Sequence, residues 1–380
     1  MVAVINNQVE VAIVGGGLIG MLTAYSLVKT GVDVVIIEKS LSASESSWAG
    51  GGILSPLYPW RYPDSVNTLA FKSQQLYPSL AQEIHNASGI DPQYRQCGMH
   101  ILADDVDVAA RQWLNDNKVT YFSGNAGDDR IIKDAVVIPD WNHKKHRQFL
   151  YLPKIAQIRN PRFIKSLKLA LEKAGVVFSF DNAVLNFIKQ TDGLFSIRTE
   201  KGLWRAAKLV ICAGAWTGKL LSSHYSSSVN IKPIRGQMLL YKAPESLLSS
   251  IILAKGKYII PRKDGHILVG STMEDVGFNK MTTQAGEATL RAFVDEICPD
   301  LGRFPVVKHW AGLRPGSPDG TPFIGEHPEI HDLFVNSGHF RNGVILAPAS
   351  ALLMRDIILK TTPDIDYSAY SIASRAFLAG

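Results

Sequence analysis

Two arginines in the C-terminal part of the chain have surroundings suited to binding an anion. Arg314 lies in "HWAGLRPGSPDGTPFIG", between an apolar stretch and a Pro/Gly turn, and Arg341 is the single charged residue of "NSGHFRNGVILAPAS". A guanidinium stays protonated, and burying it without a partner is costly. The acids nearest to Arg314, Asp319 and Glu326, lie in turns that we expect to be hydrated. Two convergent guanidinium groups could instead hold a carboxylate in a fixed geometry.

Each of these side chains also has a structural interpretation. A buried arginine often bonds to backbone carbonyls or pairs with an acid. Tyr258, in "GKYIIPR", could add a phenolic hydroxyl to a carboxylate site or could be a core aromatic on a half-buried strand. Because both arginines adjoin apolar segments with few acids, the sequence predicts a substrate-binding group made of Arg314, Arg341 and Tyr258.

A glycine pattern near the N-terminus predicts a dinucleotide site. Gly15, Gly17 and Gly20 form G-x-G-x-x-G between an apolar strand and a helix, and Glu38 ends the next strand. The glycines permit a tight turn and close approach of a pyrophosphate, and the helix N-terminus offers N–H groups to it. Glu38 suits a ribose without a 2′-phosphate. A glycine-rich turn with no nucleotide is the alternative, and the pattern alone does not separate FAD from NAD.

The segment "SSWAGGGILSP" extends the predicted nucleotide site. Its hydroxyls, on Ser46 and Ser47, could bond to phosphate, and its glycines, including Gly51 and Gly52, would let backbone approach a large flat ligand. An ordinary flexible loop is the alternative interpretation of the same residues.

The elements that position these residues alternate between two patterns. Residues 9–37 read as strand, glycine turn, helix and strand, and residues 160–180 as helix and strand, with nearly all-apolar strands typical of a parallel sheet. Residues 226–310 read as strand after strand with one helix, which is typical of an antiparallel sheet. The segment "SALLMRDIILK", from Ser350, is predicted to be an amphipathic helix.

These patterns predict an α/β fold with a Rossmann-like nucleotide-binding domain and a second α+β domain built on an antiparallel sheet. We expect the first domain to comprise residues 1–85, 150–225 and 311–380, and the second to comprise residues 86–149 and 226–310.

Composition limits the classes of function. The 380 residues are 46% hydrophobic and carry a formal net charge of +6. The basic cluster "HKKHR", His143 to Arg147, lacks interleaved aromatics, so we expect no nucleic-acid partner. Cys97, Cys212 and Cys298 are too few and too far apart for a disulfide framework or a zinc site, which favours a cytoplasmic location. Residues 11–28 are uncharged, but their glycines favour a strand, turn and helix over a membrane span.

The chain resembles the D-amino-acid oxidase and sarcosine oxidase family of flavoproteins, and in particular its glycine-oxidising members. The resemblance runs through "VAIVGGGLIG", "VVIIEKS", "AGGGIL", "ICAGAWTG", "KYIIPRKDGHILVGSTME", "WAGLRPGSPDGTPFIGEHP" and "GHFRNGVILAPA", which cover most of the chain. It implies non-covalent FAD in a two-domain fold, with an amine substrate between the flavin and the antiparallel sheet.

The resemblance also assigns roles to individual residues. It implies that Arg314 and Arg341 bind the substrate carboxylate with help from Tyr258, and that Ile53 and Met273 line the substrate pocket. It adds further residues to the cofactor contacts already inferred from the glycine pattern and the serine–glycine segment. These are Val184, Gly214, His339, Arg341, Asn342, Gly343, Val344 and Ile345.

The activity that the resemblance implies is oxidative deamination of glycine or another small amino acid or amine. Hydride would pass from Cα to flavin N5 and an imino acid would form, and O₂ would reoxidise the flavin to give H₂O₂. In this family the imine formed from glycine can feed thiamine thiazole synthesis. Three alternatives stay open: a dehydrogenase with another electron acceptor, an oxidoreductase acting on a carboxymethylamino group of tRNA, and a flavin-binding scaffold without turnover. Self-association into a homo-oligomer is also implied, because relatives commonly self-associate.

Overall fold

The computed structural model describes residues 7–41, 45–102, 106–125, 148–222 and 229–376. The basic cluster at 143–147 lies outside the described residues. The strands, in chain order, are β1 (Asn7–Val14), β2 (Val34–Ile37), β3 (Arg95–Gln96), β4 (Met99–Leu102), β5 (Phe122–Asn125), β6 (Gln148–Leu152), β7 (Ala156–Gln157), β8 (Val177–Ser179), β9 (Val184–Lys189), β10 (Phe195–Thr199), β11 (Gly202–Ile211), β12 (Lys232–Lys242), β13 (Ile251–Ala254), β14 (Lys257–Pro261), β15 (His266–Gly270), β16 (Val306–Gly316), β17 (Phe323–His327) and β18 (Ile330–Ser337).

Helices connect and cover these strands. The α-helices, in chain order, are α1 (Leu18–Val28), α2 (Ser46–Ala49), α3 (Asp64–Ser88), α4 (Val108–Asp116), α5 (Asn160–Lys173), α6 (Thr217–Ser222), α7 (Gln284–Ile297), α8 (Pro299–Gly302), α9 (Gly343–Leu359) and α10 (Ile372–Ala376). Short 3₁₀ turns occupy Pro59–Arg61, Gly214–Trp216, Phe340–Asn342 and Ser368–Tyr370.

The first sheet has the order β17-β18-β11-β1-β2-β8, with β10 paired to β11 and β9 paired to β10. Strand β1 runs parallel to both β2 and β11, and β11 runs parallel to β18. The residues of β2 and the C-terminal half of β1 are buried, because helices cover one face and apolar side chains cover the other. The predicted strand–turn–helix–strand unit and its parallel sheet are therefore confirmed.

Helices α1, α3, α5 and α9 share one apolar core on a single face of this sheet. Helix α1 is buried along almost its whole length, which explains why its sequence is apolar on every side. Helix α5 has Pro161 in its first turn, and Gly175 follows its C-terminal end with a φ of +87°. That left-handed backbone is strained for residues with a Cβ, so a glycine there ends the helix cheaply.

The second sheet has the order β16-β12-β15-β14-β13-β4-β6-β5 and is antiparallel apart from the β4–β13 pair. Side chains alternate between its faces along β14. Ile259 packs toward the core that contains Phe293 of α7, whereas Tyr258 and Ile260 belong to the core on the other face, with Ile53. This alternation places Tyr258 on the side of the sheet that faces the first sheet's loops.

One element differs from its prediction. The C-terminal helix begins at Gly343 rather than Ser350, and it is buried along most of its length rather than amphipathic. Gly343 and Pro348 appear as helix breakers in the sequence, but the helix contains both because its apolar side chains pack into the core of the first sheet. The domain bounds remain a prediction; strands β6 and β16, which extend across two of those bounds, lie in the second sheet.

Two apolar stretches of the chain approach the length of a membrane span. Residues 11–28 form the end of β1, the glycine turn and α1, a helix of 11 residues. The stretch Phe340–Leu359 is long and apolar enough to cross a bilayer, but 61% of its apolar window is buried inside the fold. A core helix passes the same test of length and composition, so this stretch is weak evidence for a span.

Candidate active site

A cavity of about 530 Å³ lies between the two sheets. It begins where β1, β2 and β11 end, at Val14, Ile37 and Cys212, and it reaches Tyr258 and Arg314 on the second sheet. The carboxyl ends of parallel strands are the usual ligand-binding edge of an α/β sheet. The fold therefore places the predicted nucleotide residues and the predicted substrate residues around one space.

The glycine pattern forms the cradle that its spacing predicts. Gly15 has a φ of +114°, and a Cβ there would overlap the backbone of Cys212. Gly17 stands immediately before α1 and lines the cavity. Gly20 does not line the cavity; a Cβ there would overlap the carbonyl of Gly15, so its role is the close packing of α1 against the turn. The first turn of α1 thus faces a space that only glycine leaves open.

Glu38 and Ser47 bond to the backbone of this turn. Glu38 is buried, and its Oε2 accepts the Gly16 N–H at 2.7 Å while its Oε1 accepts the Ser40 N–H at 2.9 Å. A carboxylate has about four lone-pair sites, so it can also accept ribose hydroxyls. Ser47 Oγ accepts the Leu18 N–H at 2.9 Å, at the start of α1. The chemistry of these groups fits an adenosine ribose and a pyrophosphate.

The serine–glycine segment is an ordered turn rather than a flexible loop. Helix α2 begins at Ser46, and the chain then passes Gly51 and Gly52 along the cavity wall. Gly52 has a φ of +75°, its carbonyl accepts the Ile158 N–H at 2.8 Å, and a Cβ there would overlap Ile158. The Cα of Gly51 lies against the Tyr258 ring. Glycine here allows the turn to pack directly on the second sheet.

The described residues fit FAD along the length of the cavity. Val184 lines the same end as Glu38, and Gly214, His339, Gly343, Val344 and Ile345 line the rest of the wall on the first sheet's side. His339 is buried, its Nε2 lies 3.0 Å from Ser350 Oγ, and burial lowers its pKa to about 3. A neutral imidazole at this wall adds no charge beside a flavin.

Arg314 occupies the end of the cavity nearest the second sheet. It stands on β16, where its Nη1 donates to the Thr272 carbonyl at 3.2 Å and its Nη2 donates to Ser271 Oγ at 2.5 Å. Burial lowers the pKa of Arg314; the nearby Tyr258 acts against that shift, and Arg341 adds to it. A buried cation whose neighbours include a second cation is well suited to receive an anion.

Arg341 reaches this end of the cavity from the first sheet's side. It belongs to the 3₁₀ turn between β18 and α9, and its Nη2 donates to the Gly256 carbonyl at 2.9 Å. Within the described residues, neither Arg314 nor Arg341 forms a salt bridge with an acid. Tyr258 is also buried at this end, and its hydroxyl lies 3.5 Å from Met238 Sδ. The three predicted substrate residues and Ile53 therefore line one cavity.

Two other predicted residues lie outside this cavity. The expectation that Met273 lines the pocket does not match its position, because its residue surface is 60% exposed and lies on a neighbouring cleft that shares Ser271 and Arg341 with the cavity. The chain leaves β15 at Gly270 and bonds at Glu274 to Arg235, which turns Met273 outward. Asn342 is buried behind the wall and does not line the cavity.

The sequence reasoning missed several residues that shape the site. Ser271 and Met238 contact Arg314 and Tyr258, and Trp216 and Lys39 line the opposite end. Arg262 is buried and donates to the Gly51 carbonyl at 2.7 Å. A charged residue at the start of the "RKDG" turn reads as an exposed loop residue, so no local signal marks Arg262. Trp216 had a signal, since it lies in "ICAGAWTG" directly after a buried strand.

Comparison with known proteins agrees with this fold. The family model described as FAD dependent oxidoreductase matches residues 10–357. The chain belongs to this family of FAD-dependent oxidoreductases.

Among its relatives are bacterial glycine oxidases. The chain is 39% identical to the glycine oxidase of Pseudomonas aeruginosa over 367 residues, covering 96% of this chain and 99% of that one. It is 40% identical to the glycine oxidase of Pseudomonas putida over 369 residues, with the same coverage. The crystal structure of glycine oxidase from Geobacillus kaustophilus matches with a TM-score of 0.89 and 28% identity, covering 97% of this chain and 99% of that chain.

Proposed function

We propose that this protein is an FAD-dependent oxidase of glycine or another small amino acid or amine. The observation that carries the proposal is the position of Arg314 and Arg341. The two guanidinium groups line the same end of a cavity whose other end has the geometry of a dinucleotide site. A carboxylate held by both would lie beside the part of the cavity where a flavin ring fits.

The residues of this chain contribute binding and orientation. Arg314 and Arg341 hold the carboxylate, Tyr258 donates a phenolic hydrogen bond to it, and Ile53 limits the space beside Cα. FAD, when bound, supplies an acceptor for the hydride that leaves Cα. The amine nitrogen must carry a free lone pair as that hydride leaves. The two arginines favour this form because their positive charges disfavour a protonated amine nearby. Positioning of this kind needs no acid–base side chain.

The wall around the arginines favours small substrates. Gly51 lies directly on the Tyr258 ring, and Met238 packs beside the same ring, so the space in front of the carboxylate site is narrow. Glycine and N-methylglycine carry no side chain on Cα and need none of the space that a larger amino acid would fill. We therefore place glycine first among the substrates.

Anaerobic mixing of the FAD-loaded protein with amino acids tests this proposal. Glycine, N-methylglycine and small D-amino acids should bleach the flavin absorbance, and the corresponding amines without a carboxylate should do so far more slowly. Arg314→Met and Arg341→Met should each reduce kcat/KM by an amount equivalent to about 2–5 kcal/mol with normal FAD content, because one charge of a desolvated pair is lost. Bleaching by glycine at an unchanged rate in either variant would refute the carboxylate assignment.

The electron acceptor separates the oxidase from its nearest alternative. A dehydrogenase of the same family would bleach with glycine in the same way but would consume no O₂ in an oxygen-electrode trace. The substrate assignment would survive that result, and only the proposed H₂O₂ product would be wrong.

A role in thiamine thiazole synthesis is part of the proposal. A protein of Trichormus variabilis named bifunctional protein ThiO/ThiG is 28% identical over 380 residues, and the match covers 95% of this chain and 55% of that one. Its name joins a relative of this chain to a second activity in one polypeptide.

We also propose self-association, which sedimentation would test. We propose no nucleic-acid substrate, which passage over immobilised tRNA at moderate salt would test.

A further inference from the structure

A loop of the second sheet, residues 274–281, bridges to the first sheet's side of the molecule; we call it the strap. It follows β15 and precedes α7. Arg235 ties both of its ends: its guanidinium pairs with the Glu274 carboxylate and donates from Nη1 to the Met281 carbonyl at 2.8 Å. The Arg235 side chain is only 5% exposed. A loop whose two ends share one buried anchor holds its shape without strands of its own.

The far side of the strap touches residues that line the FAD cavity. The ring of Phe278 lies 5.4 Å from the ring of Trp216, centroid to centroid. Lys280 Nζ lies 3.0 Å from a carboxylate oxygen of Glu45. Trp216 and Glu45 line the cavity, whereas no residue of the strap does. The strap therefore contacts the cavity wall on the side that faces away from the cavity.

The wall at this point is also where the cavity meets solvent. Lys39 and Lys219 line the cavity and are exposed, and Trp216 is half-buried between them. Lys39 Nζ lies 3.0 Å from the centroid of the Trp216 ring, and Lys219 Nζ lies 6.0 Å from that of Phe278. The mouth thus consists of an aromatic pair with a lysine against each ring.

The strap is more apolar than its exposure would favour. Val276 is 40% exposed and Phe278 is 42% exposed. Neither side chain belongs to a buried core, so the fold of the second sheet does not require them. The contact of Phe278 with Trp216, across the mouth, gives the aromatic ring a function that core packing does not.

We propose that the strap is a latch that retains FAD by bracing Trp216 and Glu45 across the mouth of the cavity. The contacts of Phe278 and Lys280 join the second sheet to the wall of the first, so the strap must separate from Trp216 and Glu45 before this wall can open. The latch acts on the cofactor and not on the substrate. A negative result in the FAD-release test would therefore leave the proposed oxidation of glycine unaffected.

The rate at which FAD leaves the protein tests this role. Loaded protein is diluted into buffer with an apo-flavoprotein trap, and the fluorescence of released flavin is followed over time. Phe278→Ala should release FAD about tenfold faster than the parent, because it removes an aromatic contact across the mouth. Lys280→Ala should release it about threefold faster, because the ion pair that it removes is partly exposed. Val276→Ala, a strap substitution that removes neither the Phe278–Trp216 contact nor the Lys280–Glu45 pair, should leave the rate unchanged.

Salt separates the two contacts. The Lys280–Glu45 pair is partly exposed, so 1 M salt should bring the parent's release rate up to that of Lys280→Ala. The effect of Phe278→Ala should persist at the same salt concentration, because an aromatic contact is not screened.

Urea unfolding of each loaded variant distinguishes a latch from a general loss of stability. A latch predicts faster release with an unfolding midpoint close to that of the parent. Equal release rates in the parent, Phe278→Ala and Lys280→Ala would overturn the proposal. So would a release rate that rises only in proportion to the loss of unfolding free energy, because FAD would then leave by unfolding and not by opening of the mouth.

Discussion

The bonds that Arg314 makes are to neutral oxygens. Its Nη1 donates to backbone carbonyls of Thr272 and Arg235, and its Nη2 donates to the Ser271 hydroxyl. Neutral acceptors orient a guanidinium but do not cancel its charge, so the electrostatic attraction for a carboxylate is retained. Arg235 shows the contrast, since its own guanidinium is paired with Glu274. Of these two arginines on neighbouring strands, Arg314 is the one suited to a ligand.

A glycine beside this site offers a test at the same scale. In Gly51→Ala the new Cβ would lie 2.9 Å from Ile260 Cδ1 and 3.0 Å from Tyr258 Cε2, so the end of Ile260 must move and the Tyr258 ring must give by a few tenths of an ångström. We expect the KM for glycine to rise about tenfold, equivalent to about 1.4 kcal/mol, with FAD content unchanged. Steady-state kinetics with Gly325→Ala as control, where the new Cβ has only ordinary contacts, would measure this. The same KM for glycine in Gly51→Ala and in Gly325→Ala would contradict the role of Gly51.

At the scale of elements, Arg262 joins three pieces of chain. Its Nη2 donates to the Gly51 carbonyl at 2.7 Å, and its Nη1 donates to the Ile158 carbonyl at 3.3 Å and to the Gln157 side chain. Burial, together with the nearby Arg159, lowers the pKa of Arg262 to about 10. The planar guanidinium fixes the glycine turn, β7 and the β14–β15 turn in one arrangement. The wall beside the substrate site depends on that arrangement.

Replacement of this guanidinium by an ammonium should destabilise the junction. Arg262→Lys keeps the charge but cannot reach three fixed acceptors, so we expect the free energy of unfolding in urea to fall by about 2–4 kcal/mol. Arg159→Lys is the matched control. Its side chain is partly exposed and can keep the ion pair with Asp264, so the loss should stay below about 1 kcal/mol. Losses of unfolding free energy of equal size in the two variants would show that the hydrogen bonds of the Arg262 guanidinium do not stabilise this junction.

At the scale of the whole molecule, the site exists only where the two sheets meet. Arg314 stands on β16 of the second sheet, and Arg341 stands between β18 and α9 on the side of the first. The turn at Gly51 and Gly52 lies between these two arginines and the nucleotide end of the cavity. It is held from both sides, because the Ile158 N–H binds the Gly52 carbonyl and Arg262 binds the Gly51 carbonyl. Neither sheet alone could hold a carboxylate in front of a flavin.

Global stability should depend on pH through buried histidine. His100 lies in the second sheet, stacked on Tyr151, and burial lowers its pKa to about 3 from the usual 6.5. Between these values the unfolded chain binds the proton and the folded chain does not, so stability falls as pH drops below about 6.5. From pH 7 to pH 5 this histidine should account for a loss of about 2 kcal/mol.

Urea unfolding at pH 7 and pH 5, with FAD in excess, measures this loss. His100→Gln should lose about 2 kcal/mol less than the parent over that range. His331→Gln should behave as the parent does, because the His331 side chain is 94% exposed. The same pH dependence in the His100 variant and in the parent would show that this imidazole titrates normally in the fold.

Local patterns in the sequence were enough for much of the fold. The apolar runs of β1 and β2 and the glycines between β1 and α1 each depend on neighbours a few residues away. The cradle of Gly15 and Gly20 follows from the same local geometry. The outward direction of Met273 could not be predicted locally, because it depends on a bond from Glu274 to Arg235, a residue far away in the chain.

The sequence by itself determined the strands and the helix of the glycine-rich unit, and which arginines have few acids near them in the chain. It could not determine which charges lack an acid in space, because pairing depends on residues that folding brings together from distant positions. In the fold, Arg235 pairs with Glu274, Arg262 donates to the Gly51 carbonyl, and Arg314 and Arg341 line one cavity. The Arg235 pair forms within the second sheet. The other two arrangements depend on the packing of one sheet on the other, since they join segments that are far apart in the chain.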